Sequence, residues 1–600
     1  MTAKSLHIQQ ENTIADAAKM SAGISNVGYD EEEKSWRVIA KYYGDIKRIE
    51  EQIEGIKVTE LFNQYAVVQV PESQLEKLIS LDEIIYVEKP REVYFNLDAG
   101  RGVSCINSIQ GQPGNSFVNN TGQSAGLNLT GRGVLVGIID SGIDYSHPAF
   151  LNEDGTTRIR YIWDQTASGE STYGRVPAGY NEGAEYSADD INEALRQTDK
   201  TEQLKIVPVS DRGTGHGTAV AGVAAGNGAG SQGRRYRGVA VSSELIVVKL
   251  GKSGSSFALS TEVIEAIDYA VRKAIELNMP IAINLSFGNN EGPHDGNSLF
   301  ENYIADMKGI WKNVIVVASG NEGDARHHAN VKLENAGDNK QIQIAIAENE
   351  RNVSLQIWKS YQDEFKVYII SPDERRLKID DRLGSAETYF LGNSKINTLY
   401  GEPTPYTITQ GIYIQWLPDS ERIGRNYIMP GVWIIELEPV DIQYGEVNMW
   451  LPSTEVVGLS TGFLNPSSET TLTIPSAARN IITVGAYNSI TGSYAPFSGR
   501  GNTTDGRKMP TIVAPGVDIT STAPGGRYSS NTGTSIAAPF VTGSAALIME
   551  WGIVRGNDVY LYGDKLKAYL IKGARELPGQ QTGHSIQYGW GALCVANSLP

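Results

Sequence analysis

Cysteine and histidine are the scarce chemistry of this chain, two of one and seven of the other in 600 residues. Two cysteines, Cys105 and Cys594, do not make a disulfide framework, and their separation in sequence neither permits nor excludes a bond; free thiols are expected. No apolar run reaches the ~20 residues that a bilayer span needs, so no membrane span is expected. The start, MTAKSLHIQQENTIADAAKM, lacks the basic patch and apolar core of a secretory signal, so synthesis in the cytoplasm is expected. Basic residues are outnumbered, 52 Lys and Arg against 69 Asp and Glu, for a net charge of −17. That balance argues against nucleic acid and anionic membrane surfaces as partners.

What is present describes a soluble globular protein, 40% hydrophobic and 20% charged, and long enough for about two to four domains. The most distinctive stretch is NTGTSIAAP, Asn531 to Pro539, followed by the apolar run FVTGSAALIMEW. A serine framed by small residues at the start of a buried helix places its hydroxyl where unpaired backbone N–H groups and the positive helix end can meet a developing oxyanion. Ser535 is therefore the candidate nucleophile, although a serine before an apolar run is also ordinary N-cap chemistry.

A serine hydroxyl needs a base, and the base needs an orienting carboxylate. One histidine, His216, stands in DRGTGHGTAVAGVAAG, with glycines around it and a small-residue helix after it. Upstream, GVLVGIIDSGIDYSHPAF has an apolar run that reads as a buried parallel strand ending in Asp140, at a sheet edge where active sites gather. In NVIVVASGNEG, Asn321 follows another such strand and can donate an amide N–H to an oxyanion beside the Ser535 N–H. Singly these are a turn Asp, a loop His and a turn Asn. In the order Asp, His, Asn, Ser they point to one chemistry.

With Asp140-Ser-Gly, His216-Gly-Thr, Gly320-Asn321 and Gly533-Thr-Ser535-x-Ala-x-Pro539 in that order, the chain resembles the subtilisin-like serine proteases, peptidase family S8. The resemblance implies an α/β fold, a parallel sheet with helices on both faces, and a serine endopeptidase acting through an acyl-enzyme. Asp140 would orient the imidazole, His216 act as base and then acid, Ser535 attack, and Asn321 stabilise the oxyanion. Ser286-Phe287-Gly288 in INLSFGNN matches the family's edge strand that pairs with an extended substrate. The specificity pocket would draw on Ser286 to Gly288 and on Ala318, Ser319 and Gly320. FSGRG, IVAPG and the closing YGWGALCVANSL extend the likeness.

Ahead of this portion, from Trp36 to Lys89, the pattern reads β-α-β-β-α-β, a ferredoxin-like α+β unit, with Ile46, Ile49 and Ile53 on one helical face and Leu75, Leu78 and Ile79 on another. Its position resembles the family's propeptide, an intramolecular chaperone whose tail lies in the active-site cleft. That implies autocleavage near Asn96, between Asn96 and Leu97, with a mature N-terminus inside Tyr94 to Gly102, and a propeptide retained non-covalently. From 331 to 455 the strand–helix rhythm gives way to short alternating segments such as QIQIAIAE and VWIIELEP, which suggest an inserted antiparallel, jelly-roll-like sandwich. The expected organisation is 1–96 propeptide, 97–330 and 456–600 catalytic, and 331–455 inserted. Trp358, Trp416, Trp433 and Trp450 are expected in the sandwich core rather than on a carbohydrate-binding face, and Tyr161 to Pro208 as a surface excursion.

Propeptide, inserted β domain and N-terminus together resemble the Csp germination proteases of clostridial spores. By that likeness the protein substrate is a cortex-lytic zymogen activated by limited proteolysis, and the protein is spore-associated. The alternatives are a catalytically silent sensor or scaffold and a general bacterial subtilase. No cofactor and no metal ligands are assigned. Relatives with the strong calcium site carry Asp after the His-Pro that follows the catalytic Asp. Here Ala149 follows His147-Pro148, and the loop GNGAGSQGRRYRG has three arginines and no carboxylate, so this calcium site is expected to be absent, with carboxylate clusters elsewhere left open for calcium.

Overall fold

The structure, a computed structural model, describes residues 28–30, 33–90, 92–95, 104–110, 127–167, 173–211, 213–251, 258–334 and 337–599. Its first sheet is antiparallel, with strands in the order Ile84–Glu88, Ser35–Tyr42, Tyr65–Pro71 and Lys57–Glu60. Two short helices, Lys47–Gln52 and Leu75–Ile79, connect them. Ile46, Ile49, Ile53, Leu75, Leu78 and Ile79 are all buried, closing one core with Trp36, Val38 and Val68. The other face of the sheet belongs elsewhere. Ile39, Leu61, Tyr65 and Val67 join the core that lies under the helices of the next unit.

That unit is an eight-stranded sheet in the order Ile512–Pro515, Ile482–Tyr487, Asn313–Ala318, Ile281–Leu285, Leu135–Asp140, Glu244–Lys249, Ile159–Asp164 and Ala184–Ser187. Every neighbouring pair is parallel except the last. Leu135–Asp140 is buried at every position, as covering helices on both faces require. The stretch from Tyr161 to Pro208, expected as an excursion, is built into the sheet: it supplies most of the strand next to the edge, the edge strand Ala184–Ser187, and the helices Ala188–Leu195 and Lys200–Ile206. Ser187 caps the first of these with a full capping box to Asp190.

Between Asn313–Ala318 and Ile482–Tyr487 the chain leaves this sheet and builds two antiparallel ones, six-stranded and five-stranded, from His328 to Phe463. Alternating burial along Lys340–Ile346 and Glu364–Ile370 marks sheets with one covered face. Trp416 and Trp433 meet edge to face in the shared core at 5.9 Å between centroids. Trp358 and Trp450 are buried as well, so none of the four presents a carbohydrate platform.

The cysteine expectation is corrected: Cys105 and Cys594 form a disulfide, with Cα atoms 4.9 Å apart. Packing of the helix Ile106–Ile109 against Val595–Ser598 brings the two ends of the catalytic portion together, a proximity that sequence separation hides. The helix Thr534–Val554 is long and apolar enough to cross a bilayer by length and composition, a length that the sequence expectation did not allow it. Its apolar window is 89% buried at the centre of the fold.

Candidate active site

The strand Leu135–Asp140 delivers Asp140 to the sheet edge, and the helix His216–Ala225 begins beside it. The approach requires Gly217, because a Cβ there would lie 2.2 Å from the Gly142 carbonyl oxygen. His216 Nδ1 meets Asp140 Oδ1 at 2.5 Å, and the Ser141 N–H donates to the same oxygen at 2.8 Å. With its Nδ1 proton held by the carboxylate, the ring keeps Nε2 as its basic nitrogen. Asp140 is fully buried and His216 nearly so, which keeps the pair out of the high-dielectric solvent that would weaken it. Asp211 stands behind: it accepts from Ser141 Oγ and from the Thr218 N–H and hydroxyl, each at 2.7 Å. Burial raises the pKa of its carboxyl, against those hydrogen bonds.

Ser535 lies in the first turn of the buried helix Thr534–Met549, its Oγ buried and without a hydrogen-bond partner. That helix packs against the one carrying His216. The motif's Pro539 has a local consequence. Four residues after Ser535, it lacks the N–H that would close the helical bond to the Ser535 carbonyl. Ser286 supplies the missing donor, its hydroxyl reaching that carbonyl at 2.7 Å. Asn284 donates to Ser286 Oγ at 2.7 Å and accepts from Thr542 at 2.9 Å. Asn284 and Thr542 therefore help to fix the Ser535 backbone. Sequence reading missed both; the only available signal was the polar Asn284 inside the otherwise apolar strand IAINL.

Asn321 faces the same helix start. The Thr534 backbone N–H, which can only donate, reaches its side-chain oxygen at 2.9 Å, and the Thr534 hydroxyl reaches it at 3.1 Å. This fixes the amide orientation and leaves Nδ2 as the donor for an oxyanion. Gly320, at φ +91, permits the turn, since a Cβ would lie 2.4 Å from Thr473. Ser286, Phe287, Gly288, Ala318, Gly320, Asn321 and Ser535 line one small cavity of about 20 Å³, together with Glu322, Ser453, Glu455, Thr473 and Thr534. Ser319 does not line it. The alternation of the extended backbone turns its side chain to the opposite side, where its hydroxyl lies 3.5 Å from that of Ser498.

The strand Glu92–Phe95 lies antiparallel between Ala258–Leu259 and Phe287–Gly288, with Phe95 opposite Phe287 and Tyr94 opposite Gly288. It runs toward the cavity from the N-terminal sheet. Asn96 and Leu97 lie outside the described residues. The sheet itself is bound to the catalytic unit by a buried charge cluster. Arg37 pairs with Glu265, with Glu182 at 2.9 Å and with Glu262 at 3.5 Å. Burial pushes the Glu265 carboxyl up to about 7, against the pull of Arg37. Further bonds join the Phe62 N–H to Asp268, Tyr65 to Asp306, and Glu88 to the Leu299 N–H.

The residues do not fit the family's strong calcium site. At Ala149 the side chain offers no oxygen, and its carbonyl is taken by a cation of the chain itself. Arg158 donates to the carbonyls of Ala149, Ala225 and Ser243 at 2.6, 2.7 and 2.8 Å. It is 5% exposed, and burial lowers its pKa to about 10. Among the described residues no group of three or more His, Cys, Asp and Glu side chains is arranged to hold a metal ion.

A parallel α/β sheet with a buried Asp–His pair, an unpaired serine at a helix start and an amide donor beside it defines the site of a serine hydrolase. The chain belongs to the subtilase family, whose description it matches over residues 131–369 and 457–591. Residues 6–91 match the Csp protease B prodomain. Among solved structures it is similar to the CspB protease of Clostridium perfringens, 34% identical, with 83% of this chain and 96% of that one covered and a TM-score of 0.72. It is also similar to the PIII-type proteinase of Lactococcus lactis subsp. cremoris (strain SK11), 22% identical over 76% of this chain, and to the serine protease AprX of Bacillus subtilis (strain 168), 32% identical over 24% of it. The chain spans about a quarter of the length of the first and about a third of the second.

Proposed function

We propose that this chain is a serine endopeptidase that cuts itself near Asn96 and keeps the freed prodomain bound. The observation that carries the proposal is the register of Glu92–Phe95 in the cleft. An extended strand paired on both sides, ending one residue short of Asn96 and directed at Ser535, is how a substrate would lie. In the reaction, His216 Nε2 takes the Ser535 proton as Oγ attacks the carbonyl, and Asp140 holds the imidazolium that forms. The Asn321 Nδ2 and the Ser535 N–H receive the oxyanion. His216 then returns the proton to the leaving amine, and water repeats the sequence on the acyl-enzyme. The Csp prodomain and the likeness to CspB favour a spore-associated role in which the substrate in trans is a cortex-lytic zymogen activated by limited proteolysis. A silent sensor is disfavoured because Asp140, His216 and Ser535 are all in place.

The test is intact mass and N-terminal sequencing of wild type beside Ser535→Ala. Cleavage between Tyr94 and Gly102 in the wild type, with the variant uncut, is expected. If both remain full length, self-processing is refuted, and labelling by a fluorophosphonate separates an enzyme awaiting another protease from a silent one.

A further inference from the structure

The cavity beside Ser535 has two walls of different origin. One is the turn that carries Asn321, and the other is Ser453 to Glu455, on the segment returning from the inserted sheets. Glu322, the residue after the oxyanion donor, bridges them. Its Oε1 accepts the Thr454 N–H at 3.0 Å, and its Oε2 accepts from Asn290 at 3.2 Å and contacts His327 Nδ1 at 2.6 Å. On its far side His327 Nε2 lies 3.2 Å from the Gly458 carbonyl and 3.1 Å from that of Thr461. Glu322 and His327 are 3% and 1% exposed, so neither is a surface pair of small worth. The backbone under His327 is itself anchored, since the next residue, His328, begins the first inserted strand, opposite Trp450, and stacks on that ring at 4.7 Å.

We propose that His327 and Glu322 are positioning residues for the primary specificity pocket, holding the oxyanion turn and the exit of the inserted domain at a fixed spacing. The inserted domain thereby helps to decide which substrate side chain enters beside the scissile bond. His327 contributes no atom to the cavity lining and acts only through Glu322 and the carbonyls of Gly458 and Thr461. Removing its three polar contacts frees the Ser453–Glu455 wall from the Asn321 wall. A pocket of fixed small width then becomes a variable one. This inference rests on the endopeptidase reading above.

The test compares wild type with His327→Phe, which keeps a ring but loses all three polar contacts, and with His327→Asn, whose amide nitrogen can reach the Nδ1 position. A peptide series varied only at the residue preceding the cut measures selectivity. Fluorophosphonate labelling reports Ser535 activation separately. Expected for His327→Phe is labelling at the wild-type rate, a fall in kcat/KM on the preferred peptide of about 10- to 100-fold, a flattened profile across the series, and partial rescue in His327→Asn. Wild-type selectivity in a labelled His327→Phe overturns the proposal. If that variant does not fold, Glu322→Gln carries the same test and an unchanged profile has the same meaning. A wild type that neither labels nor cleaves overturns the endopeptidase reading, and the pocket assignment falls with it.

Discussion

Once the proposed cut near Asn96 is made, replacing Arg37 with Met should release the prodomain. The Arg37 side chain is 8% exposed and faces Glu265, Glu262 and Glu182, whose side chains are 4%, 1% and 28% exposed. It is the only cation paired with Glu262 and Glu265 among the described residues. Methionine fills most of the same volume, so packing against the catalytic unit changes little and the loss is electrostatic. Stripping one partner from a buried ionic cluster costs about 3–5 kcal/mol, because the remaining charges stay desolvated. Glu182, partly in water, adds little to that sum. At about 1.4 kcal/mol per decade this predicts a dissociation constant for the processed prodomain raised at least ~100-fold. The assay is gel filtration or native mass spectrometry of the processed complex at falling concentration, with Arg37→Lys alongside. A dissociation constant within tenfold of wild type in Arg37→Met would refute the assignment of this cluster as the clamp.

The same cluster predicts a pH dependence. Glu265 titrates near 7 in the complex and returns to its ordinary value of about 4.5 when released into water. The complex therefore takes up a proton as it forms, is favoured by this group most fully below about pH 4.5, and loses that contribution as pH rises through 7. Burial raises Glu262 in the same direction, so prodomain affinity measured at pH 6 should exceed that at pH 8.5; a flat profile contradicts the linkage. Asn321→Ala should lower peptide hydrolysis about 100- to 1,000-fold with little change in melting temperature, and normal turnover would show that Nδ2 does not face the oxyanion. Arg158→Met should lower the melting temperature by leaving the buried Ala225 and Ser243 carbonyls without a donor, that of Ala149 keeping the Asn227 N–H, whereas a chelator should leave the wild type's melting curve unmoved. A large drop in wild-type stability on chelation would point to a calcium site elsewhere in the chain.

The parts of this architecture that follow local rules could be read from the sequence. Leu135 to Asp140 announces a strand covered on both faces, and the alternation in QIQIAIAE a strand covered on one. The spacing of Ile46, Ile49 and Ile53 gives a helix face. What escaped is held together by contacts between distant segments. Asn284 and Thr542 become visible only when their strand and helix cross. Glu322 reads as one more residue of the oxyanion turn until the returning segment at Thr454 is placed against it. Tyr161 to Pro208 looked like an excursion because it is longer and more acidic than a simple connection, and only the pairing of Ile159–Asp164 with Glu244–Lys249, and of Ala184–Ser187 with Ile159–Asp164, identifies its strands as the sheet's far end. The cysteines were misjudged for the same reason, since packing of the helix Ile106–Ile109 against Val595–Ser598 rather than any local signal brings position 105 beside position 594.

That disulfide gives the molecule an unusual covalent outline. Between its two cysteines, 489 positions apart, the chain is a closed ring that contains Asp140, His216, Asn321, Ser535 and both inserted sheets. The N-terminal sheet hangs outside as a tail. A cut near Asn96 would separate tail from ring and leave two molecules held only by noncovalent contacts, the buried Arg37 cluster and the shared apolar core among them. One cut anywhere inside the ring yields a nicked but undivided molecule. The cut proposed near Asn96 falls ahead of Cys105, where a break divides the molecule, and not inside the ring, where it does not.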